Sequence, residues 1–196
     1  EVQNAFSRHE MKNLKFVIAP LAFSLLIACG GGEETAKDGV DPKAAEMVGR
    51  ISTMEDTLFK SVAFNARSGQ ELLDVYKAFA KAYPKDENAP EYLFRAAGLC
   101  SKAMGDPEQG IKLYDRIIVD YPSWKRLPDT YYLKAFTIDT ELKQKGEAQK
   151  AYQQVINLYP DHPFAKDARQ MMEYLVLTDE ELIKKFEAME QAANAG

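Results

Sequence analysis

Apolar residues along most of the chain recur at three- and four-residue intervals, and the whole pattern repeats every 38 residues. Within each unit the matching positions step by four, three and four residues, which places them on one face of an α-helix. The matching positions are Leu72, Gly110 and Ala148, then Tyr76, Tyr114 and Tyr152, then Phe79, Ile117 and Val155. A fixed period of this length predicts a stack of helical repeats.

The dipeptide Tyr-Pro closes each unit, at residues 83–84, 121–122 and 159–160. Because proline cannot continue a helix, each dipeptide predicts a helix end. Pro90 and Pro128 follow at the same offset after two of these ends, where a proline suits the first turn of the next helix. The alternative is an ordinary antiparallel helical bundle in which the three dipeptides coincide by chance.

The prediction is all-α, because no stretch of the sequence alternates with the two-residue period of a strand. Thr178 and Glu181 form a capping box at the start of the last helix. That helix has one apolar stripe and an otherwise polar surface, as a helix that closes the end of a stack requires. Helices are predicted at about residues 43–66, 70–82, 90–104, 107–120, 128–144, 147–158 and 163–176, with a last one after residue 178.

These units resemble the tetratricopeptide repeat, a helix–turn–helix of about 34 residues. With Pro122 as the closing proline, Gly98 and Gly110 fall where that family places small residues, and Gly105 falls at its turn. We therefore expect Gly98 and Gly110 to let the two helices approach closely. In the next unit the turn glycine moves to Gly146, which predicts a longer first helix. The resemblance implies an α-solenoid of tetratricopeptide-like helical hairpins with a C-terminal capping helix.

A different pattern occupies the start of the chain. Met11 opens a short positive segment, and residues 16–28 then carry no charge. A bilayer span needs about 20 apolar residues, so this run is too short to cross one but suits a signal peptide. The junction Leu26-Ile27-Ala28-Cys29 resembles the lipobox of bacterial lipoproteins, which implies cleavage before Cys29 and its acylation. The alternative is an ordinary secretory signal peptide.

The glycines after Cys29 and the polar residues that follow predict a flexible tether. Twelve residues of such a chain span about 20 Å root-mean-square, enough to hold a domain just off a membrane. The predicted organisation is upstream residues and signal peptide at 1–28, lipidated cysteine and tether at 29–41, repeats at 42–177, and capping helix and tail at 178–196.

Charge and composition exclude several kinds of function. The chain has 25 basic and 30 acidic residues, a net charge of −5, and no basic stripe, so nucleic acid is not an expected partner. It has only two histidines and two cysteines, and no motif for a metal, a nucleotide or an activated nucleophile. Cys100 is expected to be a buried, inert thiol. The sequence predicts no enzyme activity, no cofactor, no metal and no small-molecule substrate.

The resemblance also implies where a partner binds. Tetratricopeptide arrays bind peptides or helices along the first helix of each pair. Arg95 and Lys102 share a helix face and are candidates to pair with an acidic partner segment, or else are solvated surface charges. The groove candidates are Tyr92, Arg95, Leu99 and Lys102 in one unit and Thr130, Leu133, Thr137 and Glu141 in the next.

The loop around Trp124 and Arg126 is a second candidate contact, because tryptophan and arginine are enriched in binding hot spots. The alternative is that Trp124 packs under the neighbouring repeat as a large residue at the edge of the core.

Lipobox and repeats together resemble the outer-membrane assembly lipoproteins of the BamD type and the repeat domain of the periplasmic Tol-Pal-associated coordinator. This implies a Gram-negative envelope scaffold, anchored in the outer membrane through acylated Cys29, on the periplasmic face rather than the cell surface. Its partner is expected to be an envelope protein or peptide segment, in outer-membrane protein assembly or envelope maintenance. The alternative is a surface glycan-binding lipoprotein for nutrient capture, although the chain has no long insertion to carry a sugar platform.

Overall fold

The computed structural model describes residues 41–194. These residues form only helices and connecting turns, without a strand. The eight helices are α1 (Pro42–Phe59), α2 (Ala66–Ala82), α3 (Asn88–Lys102), α4 (Pro107–Asp120), α5 (Leu127–Thr140), α6 (Lys145–Leu158), α7 (Pro163–Leu175) and α8 (Asp179–Asn194). The predicted signal peptide, the proposed acylation site at Cys29 and the tether up to residue 40 lie outside the described residues.

Each helix from α1 to α6 packs against the next one along the chain, and α5 also contacts α7. The short connections make consecutive helices antiparallel neighbours, as in other helical hairpins. The fold is therefore an α-solenoid of helical hairpins, and the predicted fold class is confirmed. The packed hairpins are α1–α2, α3–α4 and α5–α6, and α7 packs against α6 and α5.

The three Tyr-Pro corners have the same backbone conformation. Tyr83, Tyr121 and Tyr159 each cap the second helix of a hairpin, with φ of −126°, −130° and −135° and ψ of 60°, 56° and 55°. Each of their amides donates to the carbonyl four residues earlier, at N···O distances of 2.8, 2.9 and 3.0 Å. The proline that follows ends the helix because it cannot donate the next hydrogen bond. The 38-residue period of the sequence is thus a period of the structure.

The repeated tyrosines of the second helices form the centre of the stack. Tyr76, Tyr114 and Tyr152 are at most 2% exposed, and the residues that repeat three positions later are fully buried. Burial raises the pKa of all three phenols. The Tyr76 hydroxyl donates to a carboxylate oxygen of Glu55 at 2.6 Å, and the Tyr152 hydroxyl donates to Asp139 at 3.3 Å. These residues hold helix against helix, each contributing about 1.5–3 kcal/mol by burial.

The first hairpin departs from the predicted boundaries. The sequence predicted one helix over 43–66 and the next from residue 70, but α1 ends at Phe59 and α2 begins at Ala66. The reason is Asn65, whose side-chain oxygen accepts from the amide of Ser68 at 3.0 Å and so caps α2. Residues 60–65 form a loop between the two helices.

The prediction of a longer first helix in the second matched hairpin is wrong. Helix α5 has 14 residues, whereas α3 has 15. The turn residue there is Lys143, with φ of 57°, at the position that Gly105 occupies with φ of 67°. Gly146 lies inside α6 instead.

Only one of the two glycines predicted to bring helices together does so. A Cβ added to Gly110 would lie 2.0 Å from the Ser101 Oγ and 2.9 Å from the Ala97 carbonyl oxygen, so α3 and α4 meet there. A Cβ added to Gly98 would have no atom beyond its own helix backbone within 4 Å. The prediction for Gly98 is therefore wrong, because this residue lies on an open face of α3.

The last helix begins as predicted. The Thr178 amide donates to the Glu181 carboxylate at 2.8 Å, and the Glu181 amide donates to the Thr178 hydroxyl at 3.3 Å, which is a capping box. Helix α8 contacts α7 through the rings of Phe186 and Tyr174, whose centroids are 5.6 Å apart.

Candidate partner-binding surface

Four of the predicted groove residues are buried between helices. Tyr92 and Leu99 on α3 are 5% and 6% exposed, and Thr130 and Thr137 on α5 are 0% and 2% exposed. Because they are buried to this extent, these four side chains offer almost no surface to a partner. The surface that a partner can reach is therefore narrower than the family resemblance implied.

Tyr92 joins the core of the preceding hairpin. Its ring stacks on Tyr76 at a centroid distance of 5.6 Å and meets Phe79 edge-on at 4.8 Å. Burial raises the pKa of Tyr92 to about 12. A first-helix aromatic thus serves as the contact between one hairpin and the next.

Arg95 links the first helices of two hairpins. Its guanidinium donates to Glu55 of α1 at 2.6 Å and to Glu91, one turn earlier on α3, at 3.0 Å. The three side chains are 19–23% exposed. Burial by itself would lower the pKa of Arg95, but the hydrogen bonds and charges of the two carboxylates raise it.

Arg126 continues the same row of charges toward the next hairpin. It donates to Glu91 at 2.8 Å and to Asp129 at 3.2 Å, and its guanidinium carbon lies 4.0 Å from the centre of the Phe94 ring. Glu55, Arg95, Glu91, Arg126 and Asp129 therefore form one continuous row of alternating charges, here called the arginine–carboxylate row. It connects α1, α3 and the start of α5.

Trp124 lies beside this row and is partly buried. Its ring meets Phe94 at a centroid distance of 5.6 Å and an angle of 67°, and Arg126 lies 5.7 Å from its centre. This placement fits the alternative that the tryptophan is a residue at the edge of the core. Its use as a loop contact with Arg126 stays a prediction.

Lys102 bridges the far ends of α3 and α5. Its ammonium donates to Glu141 at 2.6 Å and lies 4.6 Å from the centre of the Phe136 ring. Such a cation over an aromatic face is attractive by about 0.5–1 kcal/mol at an exposed site. The Lys102 side chain is 50% exposed and that of Glu141 33%, so the lysine is the more accessible of these two predicted groove residues.

Two partly exposed side chains of α5, Leu133 and Phe136, complete the accessible surface. Together with Gly98 and Lys102 of α3 they are called the first-helix face below. It combines an open backbone position, an aliphatic side chain, an aromatic ring and a cation, which suits an extended peptide with one apolar and one acidic residue.

The sequence interpretation missed Glu55, Glu91 and Phe136. The first two pair with cations 40 and 35 residues away, and Lys102 pairs with Glu141 39 residues away. These separations are all close to the repeat period of 38 residues. A search of the sequence for opposite charges about one period apart would therefore have predicted these ion pairs. Phe136 follows Gly98 by one period, which marks the same face of the next first helix.

Other chemistry is sparse in the part of the chain that the structure describes. Residues 41–194 contain no group of three or more histidine, cysteine or acidic side chains arranged for a metal ion. None of the helices in this range has the length and apolar character needed to cross a membrane. Cys100 is buried, and burial raises the pKa of its thiol to about 11.

Residues 91–123 and 129–162 match the family model of the tetratricopeptide repeat. The chain contains tetratricopeptide repeats. The two matched segments comprise nearly all of α3–α4 and α5–α6 with their Tyr-Pro corners. No curated protein and no solved structure matches the chain. Nothing in the comparisons supports the narrower resemblance to BamD-type lipoproteins or to the Tol-Pal-associated coordinator.

Tetratricopeptide-repeat proteins are generally non-catalytic scaffolds that bind protein partners. The repeats therefore indicate a protein–protein interaction scaffold.

Proposed function

We propose that this protein is a lipid-anchored scaffold of the bacterial envelope, which holds a segment of an envelope protein along its first-helix face. The observation that carries the proposal is the arginine–carboxylate row. It ties the first helices of successive tetratricopeptide hairpins together, so that their outer side chains form one preorganised surface.

Preorganisation matters because binding a peptide costs conformational entropy on both sides. The row fixes α1, α3 and α5 through charge-assisted contacts of 2.6–3.2 Å. The buried Tyr92 of α3 packs against Tyr76 and Phe79 of α2, which holds the first two hairpins together. Binding of a partner on the first-helix face therefore costs little conformational entropy of the scaffold.

The proposed partner is an extended segment with an apolar and an acidic side chain. The open space above Gly98 and the partly exposed ring of Phe136 suit an apolar side chain. Lys102 supplies a half-exposed cation next to that ring, although it already pairs with Glu141. An acidic partner residue would compete with Glu141 for the ammonium.

Membrane attachment is proposed from the Leu26-to-Cys29 lipobox alone, with the outer membrane and its periplasmic side as the proposed location. Cys29→Ser is expected to abolish palmitate labelling and to release the protein from the membrane fraction. The matched control is Cys100→Ser, which removes the buried thiol and should leave labelling unchanged. Labelling that persists in Cys29→Ser would contradict the anchor.

Partner binding is tested by affinity capture from envelope membranes, with Phe136→Ala as the test variant. We expect the unsubstituted chain to recover a defined protein and Phe136→Ala to lose most of it, while Val119→Ala, exposed on α4, retains it. Equal recovery by both variants would place the partner elsewhere. Calorimetric binding of a soluble oligosaccharide, with no protein captured, would favour the glycan-binding alternative instead.

A further inference from the structure

The corner between α1 and α2 carries three large exposed apolar side chains, one at the end of α1 and two in the loop of residues 60–65. Phe59, Val62 and Phe64 are 63%, 109% and 44% exposed and lie within six residues of one another. The other large exposed apolar side chains are spread over the rest of the described chain: Val119 on α4, Leu158 on α6, Val176 just after α7, and Ile183 and Met189 on α8. Clustered exposure of this kind marks an interaction site, whereas scattered exposure is ordinary.

The loop is braced so that its tip stands out. Phe64 packs against α2, where a Cβ added to Gly69 would lie 2.6 Å from the Phe64 ring and 3.1 Å from the Met104 sulfur. Gly69 therefore makes room for Phe64, and Met104 of the α3–α4 turn lies close to the same glycine. Val62 is left fully exposed between Phe59 and Phe64.

The polar side chains around the tip already have partners inside the chain. The Ser61 hydroxyl donates to the Thr57 carbonyl at 2.8 Å, and the Asn65 side chain accepts from the Ser68 amide at 3.0 Å. These two hydrogen bonds persist when the loop leaves water, so the Ser61 hydroxyl and the Asn65 side-chain oxygen keep a partner there. This lowers the cost of placing the loop against an apolar surface.

Two long cationic side chains flank the loop. Lys60, the first loop residue, is 74% exposed and pairs with Asp56 of α1, and Arg67 is 91% exposed and pairs with Glu71 of its own helix α2. Their aliphatic stems can lie along apolar surface while the charges stay among headgroups, which is the behaviour of such residues at a membrane interface. A protruding apolar tip between two cations suits a fluid lipid surface, which needs no preformed pocket.

We propose that the α1–α2 loop is a second, shallow membrane contact, in which Phe59 and Val62 rest at the headgroup level of the bilayer. This inference rests on the proposed function, because acylation of Cys29 is what would bring the protein to a membrane. Helix α1 is about 27 Å long at 1.5 Å per residue, and it separates the loop from Asp41. Twelve residues from Cys29 to Asp41 reach at most about 40 Å, so anchor and loop can meet one membrane.

The test uses the full chain with an N-terminal histidine tag on phosphatidylcholine vesicles that contain a nickel-chelating lipid. Attachment then does not depend on acylation, so a failed anchor at Cys29 does not affect the result. Val62→Trp places a fluorophore at the tip, and Val119→Trp, at an exposed position of α4, is the matched control. The native Trp124 is present in both variants.

Brominated lipids are expected to quench the added fluorescence of Val62→Trp at least about twofold, with a blue shift, because tryptophan at an interface leaves water. Val119→Trp should be unaffected. Adding Phe59→Asp to Val62→Trp should remove most of the quenching. Equal signals from positions 62 and 119 would overturn the proposal. A blue shift of the tryptophan at position 62 in native membranes, without a blue shift in lipid vesicles, would overturn it in favour of a protein partner.

Discussion

The α3–α4 and α5–α6 hairpins make the same turn with different residues. In the first, the amides of Met104 and Asp106 donate to carbonyls of α3, and in the second the amides 38 residues later donate to the equivalent carbonyls of α5. The left-handed residue is Gly105 in one and Lys143 in the other. The hydrogen-bond pattern of the helix end thus fixes the backbone, and the side chain adapts at a cost.

The two hairpins also differ where their helices cross. At Gly110 the helices α3 and α4 are so close that no Cβ fits, whereas the equivalent Ala148 of α6 buries a methyl group completely. The first hairpin needs glycine at this position, and the second has room for one more carbon. One repeat therefore cannot be used as a template for the side-chain packing of the other.

Gly110→Ala is expected to have the largest effect, a loss of about 2–3 kcal/mol in the free energy of unfolding. Alanine favours a helix by about 1 kcal/mol over glycine, but here the new Cβ meets the Ser101 hydroxyl and a backbone carbonyl. The measurement is the midpoint of urea unfolding followed by circular dichroism.

A second variant shows whether the clash is the cause. Ser101→Ala combined with Gly110→Ala removes the 2.0 Å contact and should recover part of the loss, although the Ala97 carbonyl at 2.9 Å remains. Ala148→Gly, the reverse change in the other hairpin, should also destabilise, because it removes a buried methyl and adds backbone freedom. A stabilising Gly110→Ala would refute the close approach.

Arg95→Met is expected to cost about 2 kcal/mol, because Glu55 and Glu91 keep their burial but lose their shared cation. The equivalent residue of the next hairpin is Leu133, so the variant makes the two hairpins more alike. Lys102→Met is the control at the exposed end of the same helix, with an expected loss below about 1 kcal/mol. The free energy of unfolding of both variants is measured with urea at low and high salt. Equal losses would show that the arginine–carboxylate row stabilises the fold no more than an exposed ion pair does.

The periodic features of this fold could be predicted from sequence, and the contacts between repeats could not. Proline and tyrosine at fixed intervals determine helix ends and core positions, because both depend on local backbone and on one helix face. The pairing of Arg95 with Glu55 depends on how two hairpins lie side by side. The turn at Lys143 was missed because no glycine marks it, and the buried state of Tyr92 was missed because the family resemblance assigned it to a groove.

The turn comparison itself predicts two smaller changes of opposite sign. Lys143→Gly should stabilise by about 0.5–1 kcal/mol, because it relieves a left-handed backbone at a non-glycine residue. Gly105→Ala should destabilise by about 1 kcal/mol for the same reason. Thermal unfolding of the two variants measures both. Destabilisation by Lys143→Gly would mean that the lysine side chain contributes more than the strain that it causes.

The smallest expected effect concerns the carboxylates that accept from the repeated tyrosines. Glu55, bonded to Tyr76, has Arg95 beside it, whereas Asp139, bonded to Tyr152, has no cation within ion-pair distance among the described residues. Burial raises the pKa of Asp139 above its usual 3.8, and the Tyr152 hydrogen bond and the charges of Lys143 and Lys145 only partly oppose it. Ionisation of Asp139 therefore costs stability, and that cost is absent below the unfolded-state pKa.

Asp139→Asn should accordingly be more stable than the unsubstituted chain at pH 7, since asparagine still accepts the Tyr152 hydrogen bond without a charge. The difference should shrink as the pH falls through the raised pKa and vanish below about 3.8. Glu55→Gln should act in the opposite direction at pH 7, because it removes the charge that Arg95 requires. Urea unfolding midpoints of both variants, measured from about pH 3 to about pH 8, follow the two trends. A gain in stability from both substitutions would show that Arg95 does not compensate Glu55, and the contrast between the two hairpins would fail.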